Sequence, residues 1–163
     1  MIYFLSDAHL GSRAINNPQA HQQTLIAMLQ HMATDATAIY LLGDIFDFWC
    51  EYFWTDRSKE EYQPFLDTLK SLTDKGIEIH FLIGNHDIWT FGWLAQQTGV
   101  IVHRQPLSIT INGKTLFLAH GDGLVPENYM AQLPKKVQKK VRSFIFLRSV
   151  FHNPIMQFFF RLL

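Results

Sequence analysis

Short apolar runs alternate with longer amphipathic stretches along the first half of the chain. Residues 2–5, 38–42 and 77–83 are apolar runs of strand length, which predicts buried strands. Residues 18–34 and 58–74 place apolar side chains at helical spacing, which predicts two amphipathic helices. The order strand–helix–strand–helix–strand predicts a parallel sheet with helices on its faces.

A β-hairpin is predicted after this stretch. Residues 108–111 and 115–119 flank Asn112-Gly113, and this dipeptide is the strongest short hairpin signal. We expect residues 115–119 to form a fourth strand, which ends just before His120.

The chain changes character from residue 126 onward. Basic side chains cluster in residues 135–142, and a Phe-rich stretch over residues 144–163 follows, which is too polar and interrupted for a membrane span. We therefore predict that residues 1–122 form the first part of a core domain. Residues 123–163 are predicted to form a basic, Phe-rich helical cap.

Composition narrows the class of protein. The chain of 163 residues is 48% hydrophobic and 17% charged, which excludes a disordered protein. Its net charge is zero, so no general attraction to nucleic acid is implied and no nucleic-acid partner is expected. The single cysteine, Cys50, excludes an internal disulfide framework and a cysteine-based zinc site, and it fits a reducing cytosol.

The zero net charge conceals an asymmetry between the two ends of the chain. Residues 1–103 hold 12 of the 14 acidic and 5 of the 14 basic residues, whereas residues 104–163 hold 2 and 9. An acidic first part concentrates divalent cations, and a basic, Phe-rich end suits an anionic lipid surface. Two interpretations of residues 123–163 stay open, a helical subdomain that packs on the core and an interfacial helical cap.

Side chains of metal-ligand type follow the four predicted strands. These clusters are Asp7-Ala8-His9, Gly43-Asp44-Ile45-Phe46-Asp47, Gly84-Asn85-His86-Asp87 and His120-Gly121-Asp122. In an open α/β sheet ligands bind at the carboxyl ends of the strands, so we expect the clusters to converge at one edge. Oxygen and nitrogen donors without sulfur suit Mn²⁺, Fe²⁺ or Zn²⁺. Each cluster alone has a plainer interpretation as a turn or a core histidine, but the ordered series favours a metal site.

On these residues the chain resembles the calcineurin-like metallophosphoesterase family, over residues 4–122. The resemblance implies an α/β fold with a two-sheet β sandwich flanked by helices and a C-terminal helical cap. Within the family, residues 6–10, 42–49 and 120–122 resemble the UDP-2,3-diacylglucosamine diphosphatases of lipid A synthesis. The family closes its site with a Gly-His-x-His motif that has no counterpart after His120, so we expect a chain truncated before that motif.

The resemblance also implies a pair of divalent metal ions, usually Mn²⁺. Asp7 and His9 would bind the first ion, Asn85 and His120 would bind the second, and Asp44 would bridge both. A site without its closing motif would bind metal weakly or be inactive.

Two catalytic residues and three substrate contacts complete the predicted site. His86 would lie beside the leaving group and Asp87 would orient it. The best-studied diphosphatase branch has Arg at the position of His86, whereas the broader family has His. Arg13, Asn128 and Tyr129 are predicted to contact the substrate phosphates.

The implied function is hydrolysis of the pyrophosphate bond of UDP-2,3-diacylglucosamine to UMP and 2,3-diacylglucosamine 1-phosphate. The enzyme would work in the cytoplasm as a peripheral protein on the inner face of the inner membrane, without an obligate protein partner. One alternative is the same chemistry on a phosphoprotein, a cyclic nucleotide or a nucleic acid. The other is a non-catalytic lipid-binding module with a relic metal site.

Overall fold

The computed structural model of the protein describes residues 1–51 and 60–122. The elements in these ranges are β1 (Ile2–Leu5), α1 (Pro18–Met32), β2 (Ala38–Leu42), α2 (Gln63–Asp74), β3 (Glu78–Leu82), α3 (Trp93–Thr98), β4 (Ile101–His103), β5 (Leu107–Ile111) and β6 (Lys114–Leu118). The predicted cap, with Asn128 and Tyr129, lies outside the described residues. Within them, no helix is long and apolar enough to cross a bilayer.

Strands β1 to β4 form a parallel sheet in the order β1-β2-β3-β4. Tyr3 pairs with Ile39, which in turn pairs with Ile79, so the first three strands are in register. Because all four strands run in one direction, the carboxyl ends of β1, β2 and β3 lie at the same edge. This confirms the parallel sheet that the apolar pattern predicts.

Strands β5 and β6 form a separate two-stranded antiparallel sheet. Asn112 and Gly113 between them have φ angles of 50° and 75°, and a type I′ hairpin turn needs positive φ at both positions. The prediction that residues 115–119 supply the fourth strand of the parallel sheet is wrong, because Ile101–His103 takes that place. A three-residue strand is too short to show a periodic pattern, which explains why the sequence did not reveal it.

Helix bounds follow local chemistry. The Asn17 side chain caps α1 by accepting a hydrogen bond from Ala20 N at 3.0 Å, and the helix ends two residues before its predicted limit. Helix α2 begins at Gln63 rather than at residue 58, with Pro64 in its first turn, where a missing N–H costs nothing. Helix α3 was not predicted, because six residues are too few to display helical periodicity.

The main core lies between the parallel sheet and helices α1 and α2. Phe46 is fully buried, and its ring stacks on Trp49 at 4.2 Å and meets Phe65 edge-on at 5.8 Å. Leu10 and Ile45 are also buried, and Leu10 N donates to Ile45 O at 2.9 Å. Since each is next in sequence to a predicted metal ligand, the core anchors the loops that carry the site.

A smaller cluster covers part of the opposite face of the sheet. Leu118 of β6 packs there with Ala38, Tyr40 and Leu82. The hairpin therefore lies against the sheet, and the chain that leaves β6 continues directly into His120.

Candidate metal centre

The end of β1 places Asp7 and His9 beside the end of β2. Asp7 N donates to Gly43 O at 3.1 Å, and His9 N donates to Asp44 O at 2.9 Å. His9 Nε2 lies 3.9 Å from Asp7 Oδ1 and 3.9 Å from Asp44 Oδ2. Backbone pairing between the two loops thus brings the three side chains together.

Asp44 lies at the centre of the cluster and is 4% exposed. Its Oδ1 accepts a hydrogen bond from His86 N at 2.9 Å, and its Oδ2 lies 3.3 Å from His120 Nε2. Burial raises the pKa of the Asp44 carboxyl, but the hydrogen bonds from His120 and the His86 amide outweigh it, so the pKa lies below its ordinary value. Asp44 is therefore a carboxylate at neutral pH, as a metal ligand must be.

Backbone strain is concentrated at this edge of the sheet. Among the described residues other than glycine, positive φ occurs at Asp7 (54°), His9 (46°), Asp44 (53°) and the hairpin residue Asn112. Left-handed backbone is unfavourable for most side chains, and such strain tends to gather at functional sites. Three of these four positions are predicted metal ligands, which ties the strain to the site.

Hydrogen bonds fix the tautomers of two histidines. The Nδ1 atom of His120 lies 3.0 Å from Leu42 O, and the Nδ1 atom of His86 lies 2.5 Å from Asp47 O. A carbonyl only accepts, so each Nδ1 carries a proton, and Nε2 is the ring nitrogen that faces the cluster and would offer its lone pair to a cation. Such a tautomer, held by a backbone carbonyl, is typical of metal-binding histidines.

The side chains form two triads that share one carboxylate. His9, Asp44 and His86 make the first, and Asp7, Asp44 and His120 make the second; within each triad the donor atoms lie within 4.8 Å of one another. The donor set therefore fits the binding of divalent cations around the Asp44 carboxylate. His86, predicted as a catalytic group, also lies within reach of a cation in the first triad.

Asn85 joins the cluster through His120. Its Oδ1 lies 3.3 Å from His120 Nε2, so both donor atoms face the same point. All five predicted metal ligands are thus brought together. His120 reaches the cluster from the antiparallel hairpin, not from a fourth parallel strand.

The Asp87 carboxylate binds backbone amides, whereas the orienting role predicted for it called for a hydrogen bond to the His86 imidazole. The carboxylate is fully buried and accepts hydrogen bonds from Ile45 N at 2.8 Å and Gly84 N at 2.6 Å. Burial raises the pKa of Asp87 to about 6, although these backbone hydrogen bonds oppose the rise. Asp87 therefore ties the loop after β3 to the loop after β2.

Asp47 contacts both histidines of the first triad. Its carbonyl accepts from His86 Nδ1, and its Oδ1 lies 3.3 Å from His9 Nδ1. The residue that meets both imidazoles is therefore Asp47, from the loop after β2, and not Asp87. Arg13 is exposed between β1 and α1, where it makes no hydrogen bond or ion pair with the described residues of the cluster.

Two glycines leave room for the ligands. A Cβ atom on Gly43 would lie 2.6 Å from His120 Nδ1, and one on Gly84 would collide with the Asp44 carboxylate. Gly43 also has φ of 89°, which other residues rarely adopt. The glycines that precede the ligands are therefore required by close packing.

Relatives with assigned names match this chain over most of its length. UDP-2,3-diacylglucosamine hydrolase of Porphyromonas gingivalis is 38% identical over 154 residues, which are 94% of this chain and 53% of that protein. The proteins of the same name from Actinobacillus succinogenes and Haemophilus influenzae are each 30% identical, over 98% and 89% of this chain and 59% of their own lengths. The chain thus spans between half and two thirds of each of these relatives.

A solved structure and a family model complete the comparison. A protein of unknown function from Aquifex aeolicus superposes with a TM-score of 0.50 at 24% identity, covering 91% of this chain and 74% of that one, which supports the fold. The model of the calcineurin-like phosphoesterases matches residues 1–155. With nearly the whole sequence matched and the expected donors gathered around Asp44, this chain belongs to the calcineurin-like phosphoesterase family.

Proposed function

We propose that this chain carries the metal centre of a hydrolase that cleaves the pyrophosphate bond of UDP-2,3-diacylglucosamine. The products would be UMP and 2,3-diacylglucosamine 1-phosphate, in lipid A biosynthesis. The observation that carries the proposal is the pair of triads around Asp44 in a chain of this family. The substrate is taken from the names of the relatives, which match 89–98% of the chain.

Two divalent ions are the proposed cofactors, held by Asp7, His9, Asp44, Asn85 and His120. Such ions, when bound, lower the pKa of water and stabilise charge on attacking and leaving phosphate oxygens. We propose Mn²⁺, because carboxylate, amide and imidazole donors without sulfur are compatible with it and the family resemblance implies it.

His86 is the proposed proton carrier for the leaving group. Its Nδ1 proton is engaged by the Asp47 carbonyl, so a proton is gained or lost at Nε2, which lies 3.9 Å from Asp44 Oδ2. A positioned imidazole typically contributes about 10²–10⁴-fold to a rate by such proton transfer. Asp47 holds the ring in the orientation that this transfer needs.

Residues 123–163 are proposed as a cap that meets the lipid part of the substrate. The clustered lysines attract anionic headgroups, and the Phe-rich stretch suits the acyl boundary. The enzyme would then be a peripheral protein on the cytoplasmic face of the inner membrane. Arg13, Asn128 and Tyr129 remain the proposed contacts to the substrate phosphates.

An assay panel tests the substrate. The whole natural gene product, purified with Mn²⁺, is incubated with UDP-2,3-diacylglucosamine, UDP-N-acetylglucosamine and an aryl phosphodiester, and UMP or aryl alcohol release is measured. We expect metal-dependent UMP release from the diacylated substrate only. Equal turnover of the aryl phosphodiester would contradict the lipid substrate while leaving the hydrolase chemistry intact.

An Asp44→Ala variant tests the metal centre. Because Asp44 belongs to both triads, the variant should lose both ions, as measured by calorimetric titration with Mn²⁺. The matched control is Asp74→Ala, which removes an exposed carboxylate paired with Lys70 at 2.9 Å in α2. An Asp44→Ala protein that still binds two ions would refute the bridging role.

A further inference from the structure

Glu51 is a carboxylate that receives an unusual number of hydrogen bonds. Its Oε2 accepts from the amides of Phe91 at 2.5 Å, Gly92 at 2.7 Å and Trp93 at 3.0 Å. Its Oε1 accepts from Leu94 N at 2.9 Å, and the indole of Trp49 lies 3.3 Å away. A carboxylate has about four lone-pair sites, so this side chain is saturated with donors.

These bonds join the loop after β2 to the loop after β3, at a point beyond the metal-ligand residues of both loops. Glu51 lies on the segment that follows Asp44, and its four amide donors lie on the segment that follows His86. Between them the backbones are paired, because Trp49 N donates to His86 O at 3.1 Å and Glu51 N donates to Trp89 O at 3.1 Å. The two segments are thus paired along their length beyond the ligands.

A second carboxylate, that of Asp87, joins the same two loops close to the sheet. Asp87 accepts from Ile45 N and Gly84 N, which flank the two ligand loops where they leave the sheet. Along the chain, His86 lies between Gly84, which donates to Asp87, and residues 91–94, which donate to Glu51. Its own amide donates to Asp44 Oδ1 at 2.9 Å. The position of the imidazole relative to Asp44 therefore depends on both ends of the paired segments.

We propose that Glu51 is a positioning residue for the metal centre, which holds His86 in place against Asp44 by fixing the segment of residues 91–94. The expected effect on metal binding rests on the proposed function, whereas the effect on the position of His86 rests on the hydrogen bonds alone. A capping role for α3 alone is the plainer alternative. It does not account for the paired backbone that leads from Glu51 to His86, nor for the indole donor on Trp49.

The chemistry of the site requires a carboxylate. Glutamine has nearly the same shape, but its amide nitrogen would replace one oxygen and face backbone N–H groups that need acceptors. Glu51→Gln therefore loses the hydrogen bonds that one carboxylate oxygen accepts, and it leaves no cavity. Outer residues that orient ligands typically change metal affinity by about 10–100-fold, and we expect about tenfold here.

The experiment compares four proteins, namely the wild type, Glu51→Gln, Glu60→Gln and Leu72→Ala. Glu60 is an exposed carboxylate, so its variant controls for loss of charge. Leu72 is buried in α2, so its variant controls for a general loss of stability. Thermal unfolding, Mn²⁺ affinity by calorimetry and hydrogen exchange of residues 86–89 without metal are measured for each.

A positioning role predicts a specific pattern in Glu51→Gln. Exchange of residues 86–89 should rise at least about tenfold and Mn²⁺ affinity should fall about tenfold, whereas Leu72→Ala should show neither change below its unfolding transition. Equal exchange in Glu51→Gln and Leu72→Ala, or unchanged exchange in Glu51→Gln, would overturn the proposal.

Failure of the proposed function gives a different result. If the whole natural gene product binds no Mn²⁺, the metal centre is refuted, while exchange of residues 86–89 still decides whether Glu51 positions His86. Should Glu51→Gln not fold, Glu51→Asp replaces it, because the shorter side chain keeps the charge but withdraws the oxygens from residues 91–94. The same two exchange outcomes then support or overturn the proposal.

Discussion

The carboxyl edge of the parallel sheet and the helix-covered core beneath it are built in opposite ways. The core consists of fully buried apolar side chains such as Phe65 and Leu69, packed around the Phe46 ring. The edge carries strained φ angles at Asp7, His9 and Asp44, together with carboxylates and imidazoles in contact. The two regions adjoin in sequence, because the core residues Leu10 and Ile45 directly follow His9 and Asp44.

The difference shows which region stabilises the fold and which performs chemistry. Burying an apolar side chain contributes about 1.5–3 kcal/mol, whereas each strained backbone position costs about 1–3 kcal/mol. Burial of apolar side chains in the core therefore offsets the free-energy cost of the strained backbone at the sheet edge. Changes in the core should therefore act mainly on stability, and changes at the edge mainly on metal binding.

Phe65→Ala should have the largest effect on stability. Phe65 is fully buried, so the variant leaves a cavity and should lower the free energy of unfolding by about 3–5 kcal/mol. Urea denaturation measures the loss. Mn²⁺ stoichiometry at a temperature where the variant is folded should be unchanged, and a loss of bound ions there would break the proposed separation of roles.

Tyr62→Phe should alter the dependence of stability on alkaline pH. Burial, and then the carboxylates of Glu61 and Asp47, raise the pKa of Tyr62 to about 12. The unfolded phenol loses its proton near pH 10, so wild-type stability is full below pH 10 and falls by about 1.4 kcal/mol per pH unit toward pH 12. The variant lacks this contribution, so it should become relatively more stable across that window.

The test of Tyr62 is urea denaturation of both proteins at pH 8, 10 and 11.5. At pH 8 the wild type should be slightly more stable, because Tyr62 donates a long hydrogen bond of 3.4 Å to Leu10 O. Parallel curves for the two proteins over the whole range would show that the phenol is not shielded by the core.

Gly43→Ala, at the carboxyl edge of the sheet, and Gly76→Ala, at an exposed position after α2, form a matched pair. Their φ angles are 89° and 87°, so backbone strain alone should cost each variant about 1–2 kcal/mol of stability, and the close contacts at Gly43 should add to that cost. A Cβ at Gly43 would lie 2.6 Å from His120 Nδ1, whereas no other described residue comes within 4 Å of one at Gly76, its chain neighbours aside. Only Gly43→Ala should weaken Mn²⁺ binding, by about tenfold or more, measured by calorimetry. Equal affinity in both variants would show that His120 adapts to the added methyl group.

Asp7→Gly should have the smallest effect on stability. Glycine relieves the left-handed φ of 54° but increases the entropy of the unfolded chain, so stability should change by less than about 0.5 kcal/mol. Mn²⁺ affinity should nevertheless fall by more than about tenfold, because the second triad loses its exposed carboxylate. Thermal unfolding without metal and a Mn²⁺ titration separate the two effects. A large loss of stability would mean that Asp7 contributes to the fold itself.

The elements with long or regular patterns were predictable from the sequence. Residues 38–42 form β2 as expected, and the Asn112-Gly113 turn closes the hairpin. Helix α3 and strand β4 escaped prediction because neither is long enough to complete two periods of its pattern. The assignment of β6 to the parallel sheet failed because a local turn signal says nothing about which sheet a hairpin joins.

The candidate site was predictable in its residue types but not in its connections. Asp7, Asp44 and Asn85 follow strands whose carboxyl ends share an edge, so their convergence follows from the parallel order. Asp87 and Asp47 are alike in sequence, and only the structure shows that Asp47 contacts His86 while Asp87 binds backbone amides. Glu51 carries no sequence signal at all, because its partners are main-chain N–H groups.

The sequence by itself determined the parallel sheet, the hairpin and the chemical nature of the donors, since each depends on local periodicity or on residue type. The tertiary structure decided how donors from β1, β2 and β3 and from the hairpin meet at Asp44, and which carboxylates hold them there. These contacts join residues 35 to 78 positions apart, as His120 and Leu42 show. No local pattern encodes such distances, because they arise only when the packed core brings the loops together.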